Sequence, residues 1–484
     1  VDQFAPSLAG GTAGTAGSKL GGDVTLNRRI TNFTEGSIPR HLIMFAIPMF
    51  LGNLLQALYN TVDSFWVGQF LGRQALAAVA VGFPIIFTLI AMVIGVTMAT
   101  TTLVSQYFGA GQMDRVHRTI NNSLVLLIGM GIVLSVLGVA FRDDLLRFIQ
   151  APADIMPLAS TYMGIYLTGL VPTFLYNVAG AILRGLGDSR NPLRFLVYAT
   201  VLNIILDPLL IFGFGPVPPQ GVAGVALATV IAQTFSAVLA MGYLVRHSGL
   251  VQFTLDWWRL DREILALTFK IGIPAGMQQM LVSFSHLFIA SLVNRFGSTV
   301  VAAYGVGARW DQFAFMPSMS VGMAVSALVG QNLGAGKEER VREIVKWSAF
   351  LGGGITLVVA AIVLSIPGTL VRVFTDDAAV IAAGITYLRL IAFNYVPFAL
   401  MFVMGGVMRG AGDTVATFVA SLLNLWGVRV PLAAYLSSQP QLGIKGVWMA
   451  MMISPYVGTT LQAIYYRSGR WKRRTLVRRT PVQE

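Results

Sequence analysis

Twelve long apolar stretches, separated by short polar stretches, dominate the chain from residue 39 onward. Most of them exceed the roughly 20 residues that an α-helix needs to cross a bilayer. In a bilayer the backbone must satisfy its own hydrogen bonds, so the pattern predicts an all-α polytopic membrane protein with twelve transmembrane helices. These helices are expected near residues 39–71, 75–107, 119–141, 156–183, 193–214, 222–245, 264–296, 299–333, 345–371, 379–408, 415–437 and 443–466.

The second half of the chain repeats motifs of the first half at a spacing of about 225 residues. LVSQYFGAG (103–111) returns as LVGQNLGAG (328–336), and ILRGLGDS (182–189) returns as VMRGAGDT (407–414). Each half holds six spans, so both halves have the same orientation, and the parallel repeat predicts two six-helix lobes, as in alternating-access carriers. The predicted units are a disordered segment at 1–37, an N-lobe at 38–247, a linker at 248–263, a C-lobe at 264–467 and a basic tail at 468–484.

Charge is scarce and unevenly placed. The chain is 55% hydrophobic and 11% charged, whereas a soluble protein carries about 25% charged residues. Of the 34 Lys and Arg residues, 25 lie on the side that holds both termini. By the positive-inside rule that side is cytoplasmic, so the excess of basic residues predicts topology in the inner or plasma membrane and no nucleic-acid partner. The absence of cysteine excludes disulfides and thiolate chemistry.

Only three of the 21 acidic residues fall inside predicted spans: Asp63, Asp207 and Asp311. A carboxylate at that depth costs several kcal/mol unless it faces protein or water, or takes up a proton or cation. Asp63 and Asp207 lie in the first half, where Lys and Arg occur only at the ends of spans. Two unpaired acids of this kind are expected to bind H⁺ or Na⁺. The alternative interpretation is that they only hold helices together through hydrogen bonds.

Polar residues near these acids extend the candidate site. Asn203 precedes Asp207 by four residues, which places both on one helix face. Thr229 and Tyr162 are expected to add hydroxyl groups. Asp311 lies two residues after Arg309. It is expected to form an ion pair with Arg309 or with a residue of a neighbouring helix. His286 is expected to be a core histidine. The candidates for a substrate cavity are Asn53, Gln56 and Asn60, which form one stripe with Asp63, and Asn177, Gln278, Met280 and Phe284.

Together these motifs resemble the multidrug and toxic compound extrusion (MATE) family over about residues 38–467. The resemblance depends on VD in YNTVDSFWVG, on QYFGAG and QNLGAG, and on RGLGDS and RGAGDT. It implies a carrier that exports organic, often cationic, compounds in exchange for H⁺ or Na⁺. NIILDP resembles the DinF-like branch, whose coupling site lies in the N-lobe.

The resemblance also implies roles for particular residues. Asp63 is the first-span acid, Asn203 and Asp207 are the fifth-span pair, and Thr229 is the sixth-span threonine. The fourth-span tyrosine is Tyr162, with Tyr166 as the other candidate, and Pro48 is the proline at which the first helix kinks. The chain departs from the NorM branch because its seventh span has no acid, which favours coupling in the N-lobe.

The predicted function is therefore that of a secondary multidrug antiporter, not an enzyme, that acts as a monomer without a cofactor. One alternative is a lipid or glycan flippase, which would need a wide cationic groove; Arg309, Arg389 and Arg429 inside the second-half spans favour it. The other is a membrane-embedded enzyme, which would need a nucleophile or metal cluster near the acids. The sequence contains no Walker motif and no H-E-x-x-H motif.

Overall fold

The computed structural model describes residues 31–213, 215, 218–246, 259–474 and 476–477. All regular structure within these ranges is helical, and twelve helices are long enough to cross a bilayer. They are α1 (Ile38–Trp66, continued by a π-helical turn Val67–Leu71), α2 (Gly72–Gly109), α3 (Met113–Ala140), α4 (Met156–Thr168 and Leu170–Gly185), α5 (Arg190–Phe212), α6 (Val222–Arg246), α7 (Arg262–Asn294), α8 (Ser298–Gly334), α9 (Glu338–Ser365), α10 (Ala378–Ile391, a 3₁₀ turn Ala392–Asn394, and Tyr395–Gly410), α11 (Thr414–Ser421, a π-helical turn Leu422–Arg429, and Val430–Ser437) and α12 (Ile444–Arg467).

The predicted number of spans and most of their bounds are confirmed. The bounds of α9 differ at both ends: it begins at Glu338 rather than near residue 345, and it ends at Ser365 rather than near residue 371, because Pro367 begins a separate short helix Pro367–Arg372. Proline lacks the N–H that would continue the preceding helix. The fourth span is bent by 48° between its two segments. Short helices Arg142–Phe148 and Arg470–Arg474 complete the described part.

The repeated glycine motifs end helices. Gly111 after α2 and Gly336 after α8 adopt φ values of 71° and 74°, and Gly187 and Gly412 adopt 87° and 83° after α4 and α10. Only glycine enters this left-handed region without steric cost, and it commonly terminates helices in this way. The GAG and RGxGD motifs therefore terminate helices.

Each lobe shares its first helix with the other lobe. The first half of α1 (Ile38, Leu42, Phe45, Met49) packs into a core cluster with α8, α9 and α10. The second half of α1 packs along α5. In the same way, the first half of α7 packs against α2, and its second half joins the C-lobe core. Both helices thus connect the lobes mechanically.

Close backbone contact joins the lobes where α2 and α8 end. A Cβ atom at Gly109 would lie 2.0 Å from the carbonyl oxygen of Gln331, and a Cβ at Gly334 would lie 2.0 Å from that of Gln106. The side chains of these glutamines cross between lobes as a symmetrical pair. Gln106 Nε2 donates to the carbonyl oxygen of Gly410 at 2.8 Å, and Gln331 Nε2 donates to that of Gly185 at 3.0 Å.

This contact between the ends of α2 and α8 is called the seam below, and residues near both ends of the described chain bond to it. The side-chain oxygen of Gln331 accepts from the backbone N–H of Phe33 at 2.9 Å, and that of Gln106 accepts from the N–H of Leu476 at 2.9 Å. Phe33 is 2% and Thr34 is 6% exposed, so these two residues of the segment predicted to be disordered are packed against the helices. Residues 1–30, and most of the linker at 248–263, lie outside the described ranges.

We expect Gly109→Ala to separate the two lobes where α2 and α8 end, because the added methyl group cannot fit against the backbone of α8. The chain has no native cysteine, so spin labels at Asp114→Cys and Glu339→Cys report the distance between the lobes by electron double resonance. The main population should move to longer distances in Gly109→Ala. Gly353→Ala, a helical glycine with nothing within 4 Å, is the matched control. Unchanged distances in Gly109→Ala would refute the role of this contact.

Candidate functional site

Asp63 on α1 and Asp207 on α5 face each other within the N-lobe, and their carboxyl groups are close enough to interact directly. The packing of the second half of α1 along α5 brings them together. Asp207 is completely buried and Asp63 is partly exposed. Asn203, one turn before Asp207, donates from Nδ2 to Asp207 Oδ1 at 3.3 Å. The structure thus brings together the three residues that the sequence grouped first.

Several oxygen atoms in this pocket are buried without a hydrogen-bond partner in the described part of the chain. They are Asp63 Oδ1, Asp207 Oδ2 and Asn203 Oδ1. Buried polar atoms in proteins nearly always have a partner, so three such acceptors in one place favour binding of a hydrogen-bond donor or a cation. A proton on a carboxyl group or a hard cation with oxygen ligands would satisfy them. The arrangement is therefore suited to binding H⁺ or Na⁺.

Tyrosines form the wall of the pocket. Tyr162 and Tyr166 of α4 stack with their ring centroids 5.9 Å apart, and both lie within electrostatic range of Asp63. Both candidates for the fourth-span tyrosine therefore belong to the pocket. Thr229 on α6 also borders it and is 7% exposed, but its hydroxyl donates to the carbonyl of Val225 at 3.1 Å.

Sequence reasoning missed Tyr59. This residue is 4% exposed, its hydroxyl has no partner among the described residues, and it lies near Asp63 and Thr229. Its position four residues before Asp63 places it on the same face of α1. That spacing is visible in the sequence, but the predicted polar stripe contained only Asn53, Gln56 and Asn60 with Asp63.

The residues predicted to line a substrate cavity divide into two groups. Three of them are engaged elsewhere: Asn53 donates to Ser320 Oγ on α8 at 3.1 Å, Gln278 donates to Ser421 Oγ on α11 at 2.8 Å, and Asn177 donates to the carbonyl of Thr173 in its own helix at 2.8 Å.

The second group keeps accessible surface. Gln56 and Asn60 are 3.5 Å apart at the Nε2 and Oδ1 atoms, Met280 is partly exposed, and Phe284 is 58% exposed. Pro48 is buried within α1, next to the last residue of that helix in the C-lobe core, Met49. The position of Pro48 fits a bend between the two halves of α1.

The prediction of an ion pair for Asp311 is wrong. Both carboxylate oxygens accept from tyrosine hydroxyls on α10: Oδ2 from Tyr387, and Oδ1 from Tyr395 at 2.8 Å. Arg309 points elsewhere, with its guanidinium 5.4 Å from the ring centre of Phe374. Two residues along a helix point in directions about 200° apart, which explains why these neighbours do not meet. His286, expected in the core, is exposed instead.

Comparison with known proteins identifies relatives for both halves of the chain. The MatE family model matches residues 48–209 and 274–435. The chain is 36% identical over 442 residues to the probable multidrug resistance protein YpnP of Bacillus subtilis (strain 168), covering 91% of this chain and 97% of YpnP. It is 31% identical to the probable multidrug resistance protein YoeA of the same organism, covering 92% and 96%.

Solved structures share the fold. The chain matches a multidrug resistance MATE family transporter in an outward-facing conformation with a TM-score of 0.85 and 24% identity, covering 93% of this chain and 99% of that one. It also matches a MATE structure described as the bent conformation, with a TM-score of 0.86, 24% identity, and coverage of 93% and 100%. The internal repeat and the two-lobed fold of twelve helices are thus confirmed.

We expect Tyr59→Phe to weaken cation binding in the pocket about fivefold, since one hydrogen bond contributes about 1 kcal/mol. The measurements are equilibrium binding of radioactive Na⁺ at alkaline pH and proton uptake after a pH jump, both on purified protein. Tyr198→Phe, which removes the hydroxyl of an exposed tyrosine on α5, is the control. Equal affinity in wild type and Tyr59→Phe for both ions would exclude Tyr59 from the site.

Proposed function

The chain belongs to the MATE family of transporters, and we propose that it exports small organic compounds in exchange for a cation that binds at Asp63 and Asp207. It is a multi-pass membrane transporter and not an enzyme, as its family membership shows. The single observation that carries the proposed coupling site is the pair of neighbouring carboxyl groups with unpartnered buried oxygens. The names of YpnP and YoeA support multidrug export.

The distribution of basic residues supports an assignment of direction. Of 34 Lys and Arg residues, 25 lie on the side of the two termini, which the positive-inside rule makes cytoplasmic. The seam between α2 and α8, with Phe33 and Leu476 attached to it, lies on that side. The conformation is therefore closed to the cytoplasm, and the pocket is loaded from outside.

In the proposed cycle, H⁺ or Na⁺ enters from outside and neutralises negative charge at Asp63 and Asp207. The hydrogen bond from Asn203 then rearranges, and the second half of α1 shifts against α5. The first half of α1 stays packed in the C-lobe core, so the helix bends near Pro48. The exported compound loses its binding surface, the lobes rock about the seam, and the cation leaves to the cytoplasm.

Coupling requires that the compound and the cation prefer different charge states of the pocket. A ligand shifts a conformational equilibrium only by its differential affinity for the two states. An organic cation interacts favourably with free carboxylates and loses that attraction when H⁺ or Na⁺ is bound. The two ligands therefore exclude each other, which gives exchange.

The N-lobe site also supports assignment to the DinF-like branch. The seventh span has no acid, and Asp413, near the end of α10, caps α11 by accepting from the N–H of Ala416 and also accepts from the hydroxyl of Tyr465. Neither feature offers a coupling carboxylate in the C-lobe.

The flippase alternative is not favoured by the arginines that suggested it. Arg309 and Arg389 have exposed side chains, and Arg309 contacts an aromatic ring, whereas Arg429 is buried. The buried Arg429 is therefore not accompanied by a second buried arginine from this set.

The decisive experiment is efflux of rhodamine 123, a fluorescent organic cation, from proteoliposomes. A pH gradient and a Na⁺ gradient are imposed separately on wild type, Asp63→Asn and Asp207→Asn. We expect one of the two gradients to accelerate wild-type efflux. In each variant the gradient-driven efflux rate should fall about tenfold or more, since each substitution removes one of two interacting charges.

Asp114→Asn, which removes an exposed carboxylate outside the pocket, is the matched control and should retain wild-type coupling. Drive by the pH gradient alone identifies H⁺ as the coupling ion, and drive by the Na⁺ gradient alone identifies Na⁺. Coupling that persists in Asp63→Asn would contradict the proposed site and direct attention to the C-lobe.

A further inference from the structure

The C-lobe contains a second polar centre, built from α8, α10, α11 and α12. Its carboxylate is Asp311, which is 7% exposed and is satisfied by the hydroxyls of Tyr387 and Tyr395. Its cation is Arg429, which is also 7% exposed and donates from Nε to Ser454 Oγ at 2.8 Å. Among the described residues, Asp311 and Arg429 form no ion pair with each other.

Arg429 has no carboxylate within ion-pair distance in the described part of the chain. A guanidinium has five N–H donors, and described protein atoms accept from one of them, the Nε–H. An arginine buried without an opposite charge is strongly unfavourable in a low-dielectric interior. A side chain of this kind is stable when an anion completes the site.

Arg429 lies close to exposed surface, and 7% of the residue itself is accessible. His286, whose side chain is exposed, lies within electrostatic range of the guanidinium. The polar centre therefore borders accessible space beside α7, the C-lobe counterpart of α1.

Aromatic rings stand beside the cation. Tyr304 and Tyr387 both lie within electrostatic range of Arg429. The ring of Tyr304 stacks on Trp448 with centroids 5.5 Å apart, and Tyr387 meets Trp448 edge-on at 4.7 Å. Because Tyr387 is 1% and Trp448 is 2% exposed, these rings give the guanidinium apolar surroundings, in which its attraction to an anion is stronger than in water.

The internal repeat gives an independent argument. The dipeptide LN occurs at 202–203 in α5 and again at 423–424 in α11, which identifies Asn203 and Asn424 as corresponding residues of the two halves. Asp207 follows Asn203 by four residues, whereas Arg429 follows Asn424 by five, and a π-helical turn at Leu422–Arg429 supplies the extra residue. Because a π-helix bonds i to i+5, Arg429 takes the place on its helix face that Asp207 takes on α5. The two lobes thus present opposite charges at corresponding positions.

We propose that the Arg429 centre binds the anionic group, a carboxylate or phosphate, of an organic compound that the protein transports. This inference rests on the proposed function and adds to it a site for compounds that carry an anionic group. An inorganic anion is the other source of the same chemistry, and the experiment separates the two.

The test compares two dyes that differ by one ester group. Rhodamine 110 carries a free carboxylate, and rhodamine 123 is its methyl ester. Fluorescence anisotropy measures equilibrium binding of each dye to purified wild type, Arg429→Gln and Arg429→Lys. We expect Arg429→Gln to weaken rhodamine 110 binding about tenfold or more and to change rhodamine 123 binding less than twofold, because charge-assisted hydrogen bonds are lost only with the carboxylate.

Arg429→Lys keeps the charge without the planar fork and should restore part of the rhodamine 110 affinity. Arg389→Gln, which removes an exposed arginine of α10, is the matched control and should bind both dyes as wild type does. Retained rhodamine 123 binding in Arg429→Gln shows that the variant is folded. Equal weakening of both dyes, or no weakening of either, would overturn the proposal.

Inorganic phosphate and chloride are tested separately by their effect on the melting temperature. If either ion stabilises wild type but not Arg429→Gln while rhodamine 110 does not bind, the site holds an inorganic anion and the proposal fails. The binding assay does not involve an ion gradient. A failure of gradient-driven efflux therefore refutes the proposed exchange, and a failure of the dye comparison refutes only the anion site.

Discussion

The placement of two carboxyl groups side by side inside a helical bundle is the constraint on which the rest of the molecule depends. Asp63 and Asp207 belong to different helices, and each has an oxygen without a partner among the described residues. Like charges repel strongly where the dielectric constant is low. A bound proton or cation would reduce this repulsion. In the proposed exchange, its binding and release therefore change the force between α1 and α5.

The sharing of α1 between the lobes converts this local force into relative motion of the lobes. The first half of α1 belongs to the C-lobe core, so a displacement at Asp63 also moves one lobe against the other. The seam that resists the motion consists of neutral hydrogen bonds from Gln106 and Gln331, each contributing about 1 kcal/mol. Reversing a two-state equilibrium from 1:99 to 99:1 takes about 5.5 kcal/mol, which is within the reach of a bound cation. A seam made of ion pairs buried between the lobes would be far harder to open.

Hydropathy predicted the helices because the bilayer leaves so few alternatives for the backbone, and the repeated motifs predicted the lobes. Asp63, Asn203 and Asp207 could be grouped because acids within spans are rare and because Asn203 and Asp207 share a helix face. The partners of Asp311 could not be predicted, since Tyr387 and Tyr395 follow it by 76 and 84 residues and local spacing carries no information about such contacts. The packing of Phe33 could not be predicted for the same reason, since its partners Gln331 and Asn332 lie about 300 residues away.

Duplication supplies the same geometry twice, but the chemistry of the two lobes has diverged. In α5 an α-helical spacing of four residues from Asn203 leads to a carboxylate; in α11 the same spacing from Asn424 leads to Val428, which has no charge. One extra residue in a π-helical turn brings Arg429 to that face instead. Inserted turns of this kind are unfavourable and tend to persist at functional sites. If Arg429 served only to join helices, a neutral donor would bond to Ser454 equally well without the cost of a buried charge. The combination of an unfavourable backbone turn with an unpaired buried cation is therefore best explained by an anion that both features serve to bind.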